Sequence, residues 1–138
     1  MAAKFPLAAS SWGQEEIDAM HRVIASGKFT MGEHVQRFEA GYAEYVGAKH
    51  CVMVNSGSSA NLLMIAALFY TNQPHLRLQR GDEVIVPAVS WSTTYYPLYQ
   101  YGLRIKFVDV DLGTLNFDLD ALAAAVTDKT RAILAVNL

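Results

Sequence analysis

Val54-Asn55-Ser56-Gly57-Ser58-Ser59-Ala60-Asn61 is the stretch on which the reading of this chain turns. Strand-like residues, Cys51 to Val54, run into it, and apolar helix formers, Leu62 to Phe69, run out of it. Between them lie three serines and a glycine with little side-chain bulk. A strand that bends this tightly into a helix leaves backbone N–H donors open at the helix start. Those donors, the positive end of the helix dipole and the hydroxyls of Ser56, Ser58 and Ser59 together suit a dianionic phosphate. An ordinary small-residue turn with Ser56 or Ser58 as N-cap fits the octet as well.

Outward from the octet the pattern is strand–helix alternation. Ser58 to Tyr70 reads as a helix apolar on most faces, and Glu83 to Pro87 as a buried strand entered through a turn at Gly81-Asp82. Trp91 to Tyr101 reads as a helix stopped by Gly102, with Pro97 allowed only if it falls in the first turn. Arg104 to Val110 is a third strand. Asp118 caps a helix bearing Leu119, Leu122 and Val126, and Ala132 to Val136 is a fourth strand. Strands apolar on both faces and separated by single helices predict an α/β fold with a mostly parallel sheet and helices on both faces. Ahead of the octet, two amphipathic helices are expected. The first carries Ile17, Met20 and Ile24, has Ser11 and Gln14 at capping-box spacing and stops at Gly27. The second carries Val35, Phe38, Tyr42 and Tyr45 and stops at Gly47. This divides the chain into a helical lead-in, residues 1–48, and the opening half of a larger domain, residues 49–138. An apolar strand that ends at Leu138 with no covering helix predicts the N-terminal part of a longer enzyme.

Composition narrows the function classes. The chain has 138 residues, 52% hydrophobic and 17% charged, with a formal net charge of −2 and no basic run. Neither nucleic acid nor an anionic membrane is indicated as a partner. No apolar run reaches bilayer length, Met1 to Trp12 lacks a signal-peptide layout, and the single cysteine, Cys51, has no internal partner. A cytoplasmic location is expected.

In open α/β sheets ligands bind outside the carboxyl ends of the strands. Besides the octet, three places qualify. Trp91 follows the Glu83–Pro87 strand among Ser90, Ser92, Thr93 and Thr94; its indole could lie on a flat ring beside a bound phosphate, or be buried under the following helix. The nearby hydroxyls serve a ligand or helix capping equally well. Asp109 and Asp111 could hold a divalent metal, as in glycosyltransferases, or simply face water at a strand end. Asn137 ends the last strand, as a ligand contact or a plain polar terminus. His21, His34, His50 and His75 are scattered, and Lys4, Lys28, Lys49, Lys106 and Lys129 sit in polar surroundings, so neither a metal cluster nor a Schiff-base lysine is indicated.

With these motifs in order, the chain resembles the DegT/StrS family of sugar aminotransferases, pyridoxal-phosphate enzymes of the aspartate-aminotransferase fold (fold type I). The likeness rests on Ser26-Gly27 with Met31-Gly32, the Val54 to Leu63 turn, Gly81 to Pro87, Trp91, Phe107 to Asp111 and Asp128 to Ile133. It implies the N-terminal part of a three-layer large domain. It also implies pyridoxal 5'-phosphate or pyridoxamine 5'-phosphate as cofactor, with Gly57, Ser58 and Ser59 on the phosphate and Trp91 on the ring. Asp109 and Asp111 fall on a stretch that looks structural in the family. The family's pyridine-nitrogen carboxylate and its Schiff-base lysine correspond to positions beyond Leu138, so no catalytic residue is assigned within the chain.

The family's activity implies conversion of a nucleotide-linked keto-sugar to an amino sugar with an amino donor, by a homodimer, for polysaccharide or natural-product biosynthesis. The Ser-Gly-Ser-Ser-Ala-Asn form of the turn looks like the 4-keto-6-deoxy-sugar 3-dehydratase branch, in which a histidine replaces the lysine and a hydroxyl is removed. Rival classes remain: a metal-dependent glycosyltransferase through Asp109 and Asp111, or a non-catalytic regulator on the same fold. A nicotinamide enzyme would need a G-x-G-x-x-G turn, and Ser56 to Asn61 holds one glycine.

Overall fold

The computed structural model describes residues 9–136. They fall into two compact units, one ending at Met53 and the other beginning at Val54. The first contains α1 (Gln14–Ser26) and α2 (Glu33–Val46). Gly27 and Gly47 close these helices in the left-handed region, at φ 65° and 70°, where a side chain would be strained. The start of α1 differs from the expected Ser11–Gln14 box. Gly13 is the N-cap, and its N–H donates to Glu16 Oε2 at 2.7 Å, which draws the Glu16 carboxyl below its usual range.

The second unit holds α3 (Gly57–Tyr70), β1 (Glu83–Pro87), α4 (Ser92–Gln100), β2 (Arg104–Val108), α5 (Leu119–Ala125) and β3 (Thr130–Ile133). The three strands form a parallel sheet in the order β2-β1-β3. The consecutive Val84, Ile85 and Val86 place β1 at the centre, where all three are buried. Alternation along the strand sends Val84 and Val86 to one face. There they pack with Ile65 of α3, Leu98 of α4, and Leu78 and Leu103. On the other face Lys106 Nζ donates to the Ala125 carbonyl at 2.6 Å, closing α5 with a positive charge where the helix dipole is negative. The Asp118 side chain accepts from the Ala121 N–H at the other end of α5, the cap expected from sequence.

Three expectations are corrected. Cys51 to Val54 is not a strand: a strand exists only with a ladder partner, and none of the described residues pairs with it. The described sheet therefore has three strands, not four, and the last begins at Thr130 and ends at Ile133. Pro97 lies not in the first turn of α4 but as its sixth residue, buried. In the connection between α3 and β1, Leu78 is 3% exposed and belongs to the core; its N–H is held by the Leu68 carbonyl at 3.1 Å. Asn137 lies outside the described residues.

Candidate functional site

The octet folds as a helix start. Ser56 is the N-cap of α3, extended at φ −162° and ψ 161°, and its Oγ accepts the Ser59 N–H at 3.2 Å. Its carbonyl accepts the Ala60 N–H at 3.0 Å. Two first-turn donors remain open among the described residues, the N–H groups of Gly57 and Ser58.

The three serines, alike in sequence, have different partners. Ser56 donates its hydroxyl to Ser59 Oγ at 3.2 Å, and Ser59 passes its own to Asn55 Oδ1 at 2.7 Å. The Ser58 hydroxyl, on an exposed residue, meets no partner among the described residues. Gly57 is the informative residue. Its φ is not in the positive region, and a Cβ built on it would meet nothing within 4 Å. Neither backbone strain nor packing among the described residues explains a glycine there.

Trp91 is the N-cap of α4, and its carbonyl accepts the Thr94 N–H at 2.9 Å. Trp91 is 75% exposed, so burial beneath the helix does not describe it. The loop that carries it is braced from inside. The Tyr95 phenol donates to the Pro87 carbonyl at 2.7 Å and meets Phe107 edge-on, while Ser90 and Thr94 share a hydroxyl–hydroxyl bond of 2.9 Å. Burial pushes the Tyr95 phenol above its ordinary value, and a hydrogen bond with Ser90 pulls partly back. Thus Ser90 and Thr94 brace the loop, while Ser92 is the first residue of the helix.

The octet and the start of α4 come together. Ser58, Ser59 and Leu62 of α3 line an open groove of about 200 Å³ with Thr93, Tyr96 and Pro97 of α4. Asn61 Nδ2 bridges the two helices, donating to the Thr93 carbonyl at 3.3 Å. Asn61 stands in the quoted octet, but sequence alone suggests no role for it. The signal lies across the chain: Pro97 withholds the N–H that a helical Thr93 carbonyl would otherwise accept.

The aspartate pair is used locally. Asp111 Oδ1 accepts from the Gly113 and Thr114 N–H groups at 3.1 and 2.9 Å, and Asp109 Oδ1 from the Val110 N–H at 2.8 Å. These bonds shape the turn that returns through the Val110–Phe117 bridge. Among the described residues no group of three or more His, Cys, Asp or Glu is placed to hold a metal. None of their helices is long and apolar enough to cross a membrane.

The DegT/DnrJ/EryC1/StrS aminotransferase family profile matches residues 10–138. The chain belongs to this family. Over 134 residues, 97% of this chain and 34% of the relative, it is 63% identical to a GDP-4-keto-6-deoxy-D-mannose 3-dehydratase of Yersinia pseudotuberculosis. The solved structure of the E. coli GDP-4-keto-6-deoxy-D-mannose-3-dehydratase with bound hydrated PLP superposes with a TM-score of 0.90 at 60% identity, covering 98% of this chain and 34% of that one. An aminotransferase from Psychrobacter cryohalolentis is more distant, with 30% identity and a TM-score of 0.81 over 96% of this chain and 32% of that one. The second unit's parallel sheet and helices are thus the family's fold. The chain spans about a third of the length of the curated relatives it matches.

Proposed function

We propose that this chain supplies the phosphate-binding and ring-facing part of a pyridoxal-phosphate or pyridoxamine-phosphate site in an enzyme that acts on a nucleotide-linked keto-sugar. The observation that carries the reading is the start of α3, where a glycine unexplained by the chain's own packing sits beside two open N–H donors and the free Ser58 hydroxyl. This donor set fits a phosphate dianion: neutral hydrogen-bond donors at the positive end of a 14-residue helix. When bound, the cofactor supplies the electron sink for chemistry at the sugar carbon next to its carbonyl.

The work of this chain is to bind and orient. Gly57 and Ser58 hold the phosphate, and Ser59 joins them by turning its hydroxyl away from Asn55. The Trp91 indole would pack on the heterocycle, carried by a loop that Tyr95, Ser90 and Thr94 brace. An exposed side chain at the start of α4 is available for stacking without rearrangement of the core.

Within the family, identity of 60% or more to 3-dehydratases, against 30% to the aminotransferase, favours removal of a sugar hydroxyl over amination. On this reading residues 1–48 are a helical lead-in and 49–138 the first half of the cofactor domain. The enzyme works in the cytoplasm as a homodimer, with an amino donor recharging its cofactor.

Replacement of Trp91 by Ala in the protein that carries this chain tests the reading. Stacking of this kind contributes about 1–3 kcal/mol, so the cofactor dissociation constant, followed by its visible absorption, should rise by about fivefold to about 150-fold. An unchanged constant would remove Trp91 from the site. Assay of the same protein on a GDP-linked 4-keto-6-deoxy sugar separates the branches. Deoxygenated product supports the dehydratase, and amino sugar the aminotransferase.

A further inference from the structure

We infer that Asn61 is a positioning residue, which fixes the Trp91 end of α4 against the start of α3 by making the hydrogen bond that Pro97 cannot. In an α-helix the carbonyl of residue 93 accepts the N–H of residue 97. Residue 97 is proline, and it lies well inside α4. A buried or half-buried carbonyl left without a donor is costly, so the helix needs one from elsewhere. Asn61 provides it: the amide Nδ2 reaches the Thr93 carbonyl at 3.3 Å, from a half-buried position one turn into α3.

Asparagine is a poor residue for a helix interior, so its position calls for an external partner. The bond joins two segments that matter to the proposed site. Asn61 is four residues from Gly57, and Thr93 is two residues from Trp91, whose carbonyl holds the Thr94 N–H at 2.9 Å. With the lock closed, the turn that starts α4 has one setting relative to the phosphate-binding turn. With it open, the indole's support is free to shift.

The consequence for the cofactor rests on the proposed function; the lock itself does not, and the two are measured separately. The variants are Asn61→Leu, which keeps the size and removes the donor, Pro97→Ala, which restores the N–H within α4, and the double substitution. Hydrogen exchange of the Thr94 amide, read in the cofactor-free protein, reports the lock. Asn61→Leu should speed it about three- to tenfold, the worth of one hydrogen bond, but change it by no more than about twofold in the Pro97→Ala background. Equal acceleration in both backgrounds, or none in either, overturns the inference.

In the cofactor-loaded protein the same cycle is read by the dissociation constant and by the circular dichroism of the bound ring, which reports its tilt. A loss of about three- to tenfold with Asn61→Leu, rescued by Pro97→Ala, supports the positioning role. A cofactor affinity and ring signal untouched by Asn61→Leu overturn it. If the wild-type protein takes up no cofactor, the proposed function fails and the Thr94 exchange alone decides the lock. Should Pro97→Ala not fold, Asn61→Leu against Asn61→Gln decides. Only the amide-bearing variant should keep Thr94 protected, and equal exchange in the two overturns the inference.

Discussion

Tyr95 donates to the Pro87 carbonyl just where β1 gives way to the Trp91 loop, so one phenol holds both ends of that loop in register. Its removal in Tyr95→Phe should cost about 1 kcal/mol in unfolding free energy. The pH dependence has a definite sign. The folded phenol titrates above its ordinary value, chiefly through burial, so its contribution is complete below the unfolded value near 10.0 and fades as pH rises through the folded one. Unfolding midpoints measured from about pH 8 to about pH 11 should fall more steeply for the wild type than for Tyr95→Phe. Parallel curves would mean that the phenol does not couple to folding. At this scale the sequence is legible where a residue acts on its neighbours and opaque where it reaches across the chain. Ser56 as cap and Trp91 as an odd residue among hydroxyls can both be read from local context. The division of labour among Ser56, Ser58 and Ser59 depends on where Asn55 points. Asn61 becomes meaningful only when Pro97, on another helix, is seen beside it.

Among the elements, α5 shows how a short helix survives. Seven residues make two turns, too few to hold themselves in water, and both ends are tied by side chains. Asp118 takes the Ala121 N–H at 3.0 Å, and Lys106 reaches the Ala125 carbonyl from β2. Asp118→Ala should lower the urea midpoint by the equivalent of about 1 kcal/mol with no change in slope. No shift would mean that the helix is held by packing alone. The cap was written in the sequence, since Asp followed by an apolar helical repeat is a local signature. The Lys106 contact was not, because the lysine precedes its partner by 19 positions. The same reasoning explains Cys51 to Val54. Its composition is strand-like, but β-structure is a property of pairs, and Val52 and Met53 are exposed with no ladder beside them. For α4 the proline was expected only in the first turn, and an amide from α3 lets the helix carry it as its sixth residue.

At the scale of the whole molecule, the order of motifs was more telling than any one of them. Alternating apolar strands and helices fixed a parallel sheet, and the spaced Gly81 to Pro87, Trp91 and Phe107 to Asp111 motifs pointed to the family whose profile the chain matches. The central claim concerns the start of α3: that Gly57 is kept for a phosphate and not for the fold. Alanine there meets no neighbour and is the better helix former, so Gly57→Ala should leave unfolding stability unchanged or raise it by up to about 1 kcal/mol. The direct test is the ratio of dissociation constants for pyridoxal and pyridoxal 5'-phosphate, measured on the wild type and on Gly57→Ala. The account predicts a strong preference for the phosphorylated form that shrinks about tenfold or more in the variant, with affinity for the unphosphorylated ring nearly unchanged. A preference of the same size in both proteins would contradict it.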